Sequence, residues 1–193
     1  MHLPTLYDVL KDRRSMNLRD LLPDPIARSS LAQMLEAANW APSHGHTEPG
    51  RFTVFTGEAR HKLGAVFAEA YRLGTPTEHV DQAVMAFTRD RVLLAPVWIS
   101  IGMEPDPVKK MPEWEEISAV AMAVHNMHLM ASSLGLGCKW SSGSTSRHPR
   151  VAQFLGLQPP AQLLGFLYVG KPAKAWPTGQ RRPMAEKVTW VMD

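Results

Sequence analysis

The chain has one cysteine, Cys138, in 193 residues. No intramolecular disulfide can form, which excludes the disulfide-stapled class of small secreted domains and fits a reducing compartment. Cys138 lies between Gly137 and Lys139-Trp140 with no histidine beside it. It therefore reads as a small packed residue in a strand rather than a nucleophile. An excess of one charge sign is also missing. The formal net charge is only +3, and Lys and Arg are mixed with Asp and Glu instead of forming a stripe, so a nucleic-acid partner is not expected. A secretory leader is not visible, because MHLPTLYDVLKDRR places its charges after its apolar residues. The expected location is the cytoplasm.

Uninterrupted apolar runs are scarce as well. Ile117–Leu134 has the length of a membrane span, but it contains His125, Asn126, His128, Ser132 and Ser133 and follows Glu113, Glu115 and Glu116. Those groups are costly in hydrocarbon, so the run reads as a buried helix of a soluble protein with no membrane partner. With 45% hydrophobic and 20% charged residues the chain is too apolar for disorder. Its length suits one domain spanning 1–193. No repeat, catalytic triad or carboxylate pair is evident. His125 and His128 lie three apart and His44 and His46 flank a glycine, yet no further ligand stands at a matching spacing, so no metal site is expected.

What is present alternates between helical and extended patterns. Helices are predicted over Thr5–Asp12, from Ser29 or Ser30 to before Pro42 (with Ser30 and Gln33 as a capping box), Glu58–Leu73, Glu78–Leu94, Trp114–Leu134 and Pro149–Leu155. Strands are predicted over Arg51–Thr56, Pro96–Ile101, Cys138–Ser142, Leu163–Val169 and Val188–Met192. The strand connections do not repeat as simple βαβ units, which argues for an α+β sheet with helices packed on it.

Against this background Arg13-Arg14-Ser15 places two guanidinium groups and a hydroxyl on adjacent residues. Guanidinium forks suit a phosphate and the hydroxyl adds a further bond. Ala41-Pro42-Ser43-His44 follows the second helix, and Gly137-Cys138-Lys139-Trp140-Ser141-Ser142-Gly143 follows the long helix. With Trp114–Ala119 and Gly165–Gly170, these segments resemble, in order over residues 5 to 175, the FMN-dependent nitroreductase family, in its short single-domain NAD(P)H branch.

The resemblance implies an α+β fold with a central, mostly antiparallel sheet flanked by helices, and an intertwined homodimer with FMN at the subunit interface. It implies hydride transfer from NADH or NADPH to flavin N5 and then to a nitroaromatic, quinone or similar small electron-poor acceptor, in a ping-pong cycle. The flavin carries the chemistry, so no catalytic side chain is implied. Arg13, Arg14 and Ser15 match the segment that binds the phosphate and the pyrimidine edge of the ring, and His44 matches a flavin contact. Trp40 stands where a basic residue reaches the flavin from the partner subunit. Trp140, Ser141 and Ser142 match the strand-end triplet along the flavin, and Met130–Gly135 a stretch associated with nicotinamide binding.

Three departures stand out: Glu48 and Gly50 replace Gln and Trp of a Gln-Pro-Trp sequence, and Ser141 replaces an Arg. They leave a second reading open, a flavin-binding protein of the same fold with little or no turnover. The tail Lys171–Arg182 carries Lys171, Lys174, Arg181 and Arg182 among prolines. It reads either as a solvated extension against the second subunit or, through Lys171 or Lys174, as part of the phosphate pocket.

Overall fold

The computed structural model describes residues 5–192. The first helix, α1 (Leu6–Asp12), is capped by Thr5, whose hydroxyl accepts the Asp8 amide while the Asp8 carboxylate accepts the Thr5 amide at 2.8 Å. The capping box expected at Ser30 and Gln33 does not form. Helix α2 (Arg28–Asn39) starts two residues earlier, after Ala27 and with no side-chain cap. Ser30 is therefore already inside the first turn, where its hydroxyl cannot play the N-cap role. The other helices are α3 (Ala59–Leu73), α4 (Gln82–Asp90), α5 (Glu113–Ser133) and α6 (Pro149–Phe154). Helix α4 is shorter than predicted because Asp81 caps it: its carboxylate accepts the Ala83 and Val84 amides at 2.7 and 3.2 Å. The flanking residues form only short 3₁₀ turns.

The strands are β1 (Leu21–Leu22), β2 (Gly50–Arg51), β3 (Val54–Thr56), β4 (Val97–Met103), β5 (Gly137–Ser141) and β6 (Gln162–Pro172). Every pairing between them is antiparallel. β6 pairs with β4 along one edge and with β5 and β1 along the other, and the far edge of β4 carries β2 and β3. The α+β class and the antiparallel sheet thus agree with expectation. The single strand expected over Arg51–Thr56 is broken at Phe52-Thr53. There the Thr53 amide donates to the Ser100 hydroxyl at 2.9 Å instead of to a backbone carbonyl. The strand expected over Val188–Met192 is absent. Those residues are exposed and belong to no strand, because β-branched composition makes a strand only where an edge is offered.

Both sheet faces are covered. Val97, Ile99 and Ile101 of β4 pack with Leu167 and Val169 of β6 against Met34 of α2 and Met127 of α5. The alternate residues Trp98, Phe166 and Tyr168 pack against Phe67 of α3 and Val151 of α6. A sheet buried on both faces requires near-continuous apolar strands, which is why VWISIGM and LLGFLYV contain so little polarity. Among the described residues no helix is long and apolar enough to cross a membrane.

Phe166 is fully buried, with its ring centroid 5.1 Å from Phe67 and 6.3 Å from Trp98. Phe166→Ala is expected to cost about 3–5 kcal/mol, read as a lower urea midpoint with an unchanged slope.

Candidate functional site

After α1 the backbone becomes extended, and the Met16 amide donates to the Cys138 carbonyl of β5 at 3.0 Å. Ser15 and Cys138 form a lone parallel bridge there. The close approach depends on Gly137, where a Cβ would stand 2.7 Å from Met16 Cγ and 2.8 Å from Leu21 Cδ2. Arg13 and Arg14 are half-buried and Ser15 is exposed. The structure thus brings Arg13-Arg14-Ser15 beside the strand that ends in Trp140-Ser141.

Arg14 is held on three sides. Its Nη1 donates to the Lys11 and Arg13 carbonyls at 2.6 and 2.7 Å, and its Nε to the Pro177 carbonyl at 3.0 Å. Gly179 lies so close to this guanidinium that any Cβ would collide with Nη2. The tail therefore crosses Arg14, with Arg181 and Arg182 only two and three residues beyond the crossing. Lys174 is engaged elsewhere, pairing with Asp20 at 2.8 Å, and Lys171 is exposed at the end of β6. The only sequence sign of the tail's path was its spacing of prolines.

Trp140 is half-buried and donates from its indole to the Leu164 carbonyl at 3.0 Å. Ser141 is half-buried and Ser142 exposed. Gly165 of β6, at φ +128°, shapes this strand end: a Cβ there would collide with the Ser141 carbonyl and stand 3.0 Å from Trp140 Nε1. Gly165 opens the Gly165–Gly170 segment of the resemblance, and a glycine inside an apolar strand signals such an approach.

The remaining candidates lie elsewhere. Trp40 ends α2, is 77% exposed and donates to Glu36 at 2.8 Å. His44 pairs through Nδ1 with Glu115 in the first turn of α5. Next to that pair, Glu116 is 2% exposed; one oxygen accepts the Thr47 hydroxyl at 2.8 Å and the other has no partner. The loop between carries His46 and Glu48 at φ 54° and 47°. Such left-handed non-glycine residues cost on the order of 1 kcal/mol each and cluster at ligand sites. The charge of Arg13, by contrast, acts on His128, thirteen residues further along α5 than Glu115. At roughly 1.5 Å per residue Glu115 and His128 stand about 20 Å apart along the helix. Within one subunit the two groups of candidate residues therefore lie apart.

A model of the family described as "Nitroreductase family" matches residues 10–171. The chain belongs to the nitroreductase family. YdjA of Escherichia coli (strain K12), provisionally named an NAD(P)H nitroreductase, is 31% identical over 86% of this chain and 87% of its own. The crystal structure of a nitroreductase-like family protein from Bacillus cereus is 29% identical with a TM-score of 0.85, covering 99% of this chain and 98% of its own. A provisionally named nitroreductase from Desulfovibrio desulfuricans, solved with FMN, shares the fold with a TM-score of 0.73 at 24% identity, covering 98% of each chain. The family is one of oxidoreductases, and this chain is an enzyme of that class.

Within this nitroreductase fold the electrostatics around Arg13 separate structural from ligand-facing groups. Burial pushes the Cys138 thiol up to about 12 against the opposing charge of Arg13, so the cysteine is inert packing. Burial first, then the charges of Arg13 and His125, hold His128 down at about 4. Its buried Nδ1 has no hydrogen-bond partner among the described residues. Among those residues no cluster of three or more His, Cys, Asp or Glu is placed to hold a metal ion.

The depressed His128 has a stability consequence. Between about 6.5 and about 4 the unfolded chain takes up a proton that the folded chain refuses. This contribution is complete above the unfolded value and is lost as pH falls through that window, with a slope of at most about 1.4 kcal/mol per pH unit. His128→Gln should flatten that part of the stability curve, measured by urea unfolding at pH 4.5, 5.5 and 7.

Proposed function

We propose that two copies of this chain bind FMN between them, take hydride from NADH or NADPH and deliver it to a nitroaromatic, quinone or similar planar electron-poor acceptor. The observation that carries the reading is the seating of Arg13, Arg14 and Ser15 on β5, with Trp140 and Ser141 on the same strand. The donor set fits the cofactor. The Arg13 guanidinium and the Ser15 hydroxyl suit its phosphate dianion, with Arg14 beside them beneath the tail. When bound, FMN supplies the acceptance and donation of hydride at N5.

The chain's own residues then divide the work. Arg13 and Ser15 anchor the phosphate, and Arg14, whose Nε and Nη1 are taken by backbone carbonyls, adds its charge beside them. The end of β5 offers Ser141 and Ser142 to the ring edge, stabilising negative charge there. Trp40 and His44 come from the second copy, whose α2 end closes the site. No side-chain acid or base is required of either copy.

The homodimer is supported by α5, whose outward face leaves Trp114 68% and Met122 41% exposed. Large apolar side chains left uncovered on a core helix suit an interface. It is supported too by the tail, where Trp190, Val191 and Met192 are all largely exposed. The spacing of Glu115 and His128 along α5 argues the same way, since pairing two copies allows each Arg13 cluster to meet the other copy's Trp40 and His44. Partial support for a weak-turnover variant comes from Trp40 and Ser141, which carry no positive charge where the resemblance expects a cation.

Four measurements test this reading. Purified protein reconstituted with FMN should turn yellow and bleach on addition of a nicotinamide; a colourless protein overturns the proposal. Steady-state oxidation with a quinone acceptor separates the enzyme from the silent binder. Arg13→Ala should weaken FMN binding by about ten- to a hundredfold. Co-expressed Arg13→Ala and His44→Ala chains, each impaired alone, should regain activity, because a mixed dimer carries one site with both half-sites intact. No recovery argues against a shared site.

A further inference from the structure

A cleft of about 470 Å³ opens next to the β5 end. It is bounded by Asn17 and Ser141 on the side of the candidate cofactor site, by Phe87 of α4, and by Tyr168 at its floor. Its charge is one-sided. Arg19, Arg91 and Lys174 line it against a single carboxylate, Asp20, and that carboxylate is already paired with Lys174 at 2.8 Å. Arg19 and Arg91 have no carboxylate partner among the described residues.

Arg91 is the most unusual of these groups. Its guanidinium stands 5.7 Å from the ring centre of Phe67 and 5.9 Å from that of Trp98. Its Nε is buried without a hydrogen-bond partner among the described residues. Burial lowers its pKa, opposed by Tyr168. Burial likewise pushes the Tyr168 hydroxyl up to about 12, so it stays protonated and can donate. Aromatic faces offset part of the cost of burying a cation, but an unmade charged hydrogen bond remains expensive. Arg19, poised 6.0 Å from the Phe87 ring centre, is the second cation without a carboxylate. A cleft walled by aromatic rings with two uncompensated guanidinium groups matches a flat molecule that carries an anion.

We propose that this cleft recognises the anionic group, a carboxylate or a phosphate, of a small molecule that reacts at the adjoining cofactor site. Arg91 and Arg19 pair with the anion and Tyr168 donates a further hydrogen bond. Phe87 borders the molecule's flat part, and the small Ser141 leaves the passage to the cofactor open. The inference rests on the proposed FMN site for its catalytic meaning, but the binding it asserts does not. Two sources share the required chemistry: a carboxylated aromatic acceptor and the 2′-phosphate that distinguishes NADPH from NADH.

The test begins with the full-length protein and needs no turnover. Calorimetric titration with benzoate and inorganic phosphate, using benzamide as the neutral control, should show binding of at least one anion and none of benzamide. Arg91→Gln and Arg19→Gln should each weaken that binding about tenfold or more. If Arg91→Gln does not fold, the exposed Arg19→Gln carries the test alone. Steady-state kinetics then distinguish the sources. A carboxylate role lowers kcat/KM for 4-nitrobenzoate about tenfold in the variants while leaving 4-nitrobenzamide unchanged with NADH. A phosphate role instead lowers kcat/KM for NADPH and leaves NADH unchanged. Equal binding of benzoate and benzamide, no anion binding, or anion binding indifferent to both substitutions overturns the proposal. A protein that binds the anion but never FMN would defeat the catalytic reading while leaving the cleft intact.

Discussion

The hydrogen bond from the Met16 amide to the Cys138 carbonyl ties the chain's N-terminal segment to the sheet, and the placement of the arginine pair depends on it. Without that bond the residues after α1 would be a solvated basic turn, free to sample many conformations. With it, Arg13 acquires fixed neighbours, His128 and Cys138, and Arg14 a fixed position beneath the tail. The bond exists because Gly137 presents no side chain to Met16 or Leu21. A backbone requirement in a strand thus decides where two charges sit.

Helix α5 plays two parts that explain its composition. One face completes the core over β4 and β6, while its two ends support different polar groups, Glu115 with His44 and His128 beside Arg13. A rigid helix holds those groups at a constant spacing, so neither half-site can drift toward the other within a subunit. A site drawing on both must be closed by a second copy, and the uncovered Trp114 and Met122 suit that arrangement. The same helix was too polar to span a bilayer and too apolar to lie exposed.

Charge is arranged with similar economy. The positions where the family resemblance expects cations, 40 and 141, hold Trp and Ser, yet Arg19, Arg91 and Lys174 surround the cleft onto which Ser141 opens. Positive potential beside the proposed cofactor site is thereby supplied from the turns before β1 and after α4 and from the end of β6. A cation at a distance stabilises negative charge less than one in contact, but it leaves space for a ligand.

Much of the fold was legible from residues alone. The apolar strands, the long helix and the inert cysteine follow from local pattern, because a sheet buried on both faces and a helix under it permit few polar side chains. The Arg13-Arg14-Ser15 triplet and the Trp140-Ser141-Ser142 strand end were also recognisable by residue type and order. What failed depended on partners distant in sequence. Val188–Met192 has a strand's composition and no edge to join, Ser30 has a cap's chemistry in the wrong turn, and Lys174 pairs with Asp20 while Pro177 and Gly179 of the tail lie against Arg14. The sequence by itself determined which segments are apolar, extended or helical and which side chains can hold a phosphate. Only the tertiary structure decided which of those side chains meet. Hydrogen bonds and close glycine contacts between strands far apart in the chain set those distances, and no local pattern encodes them.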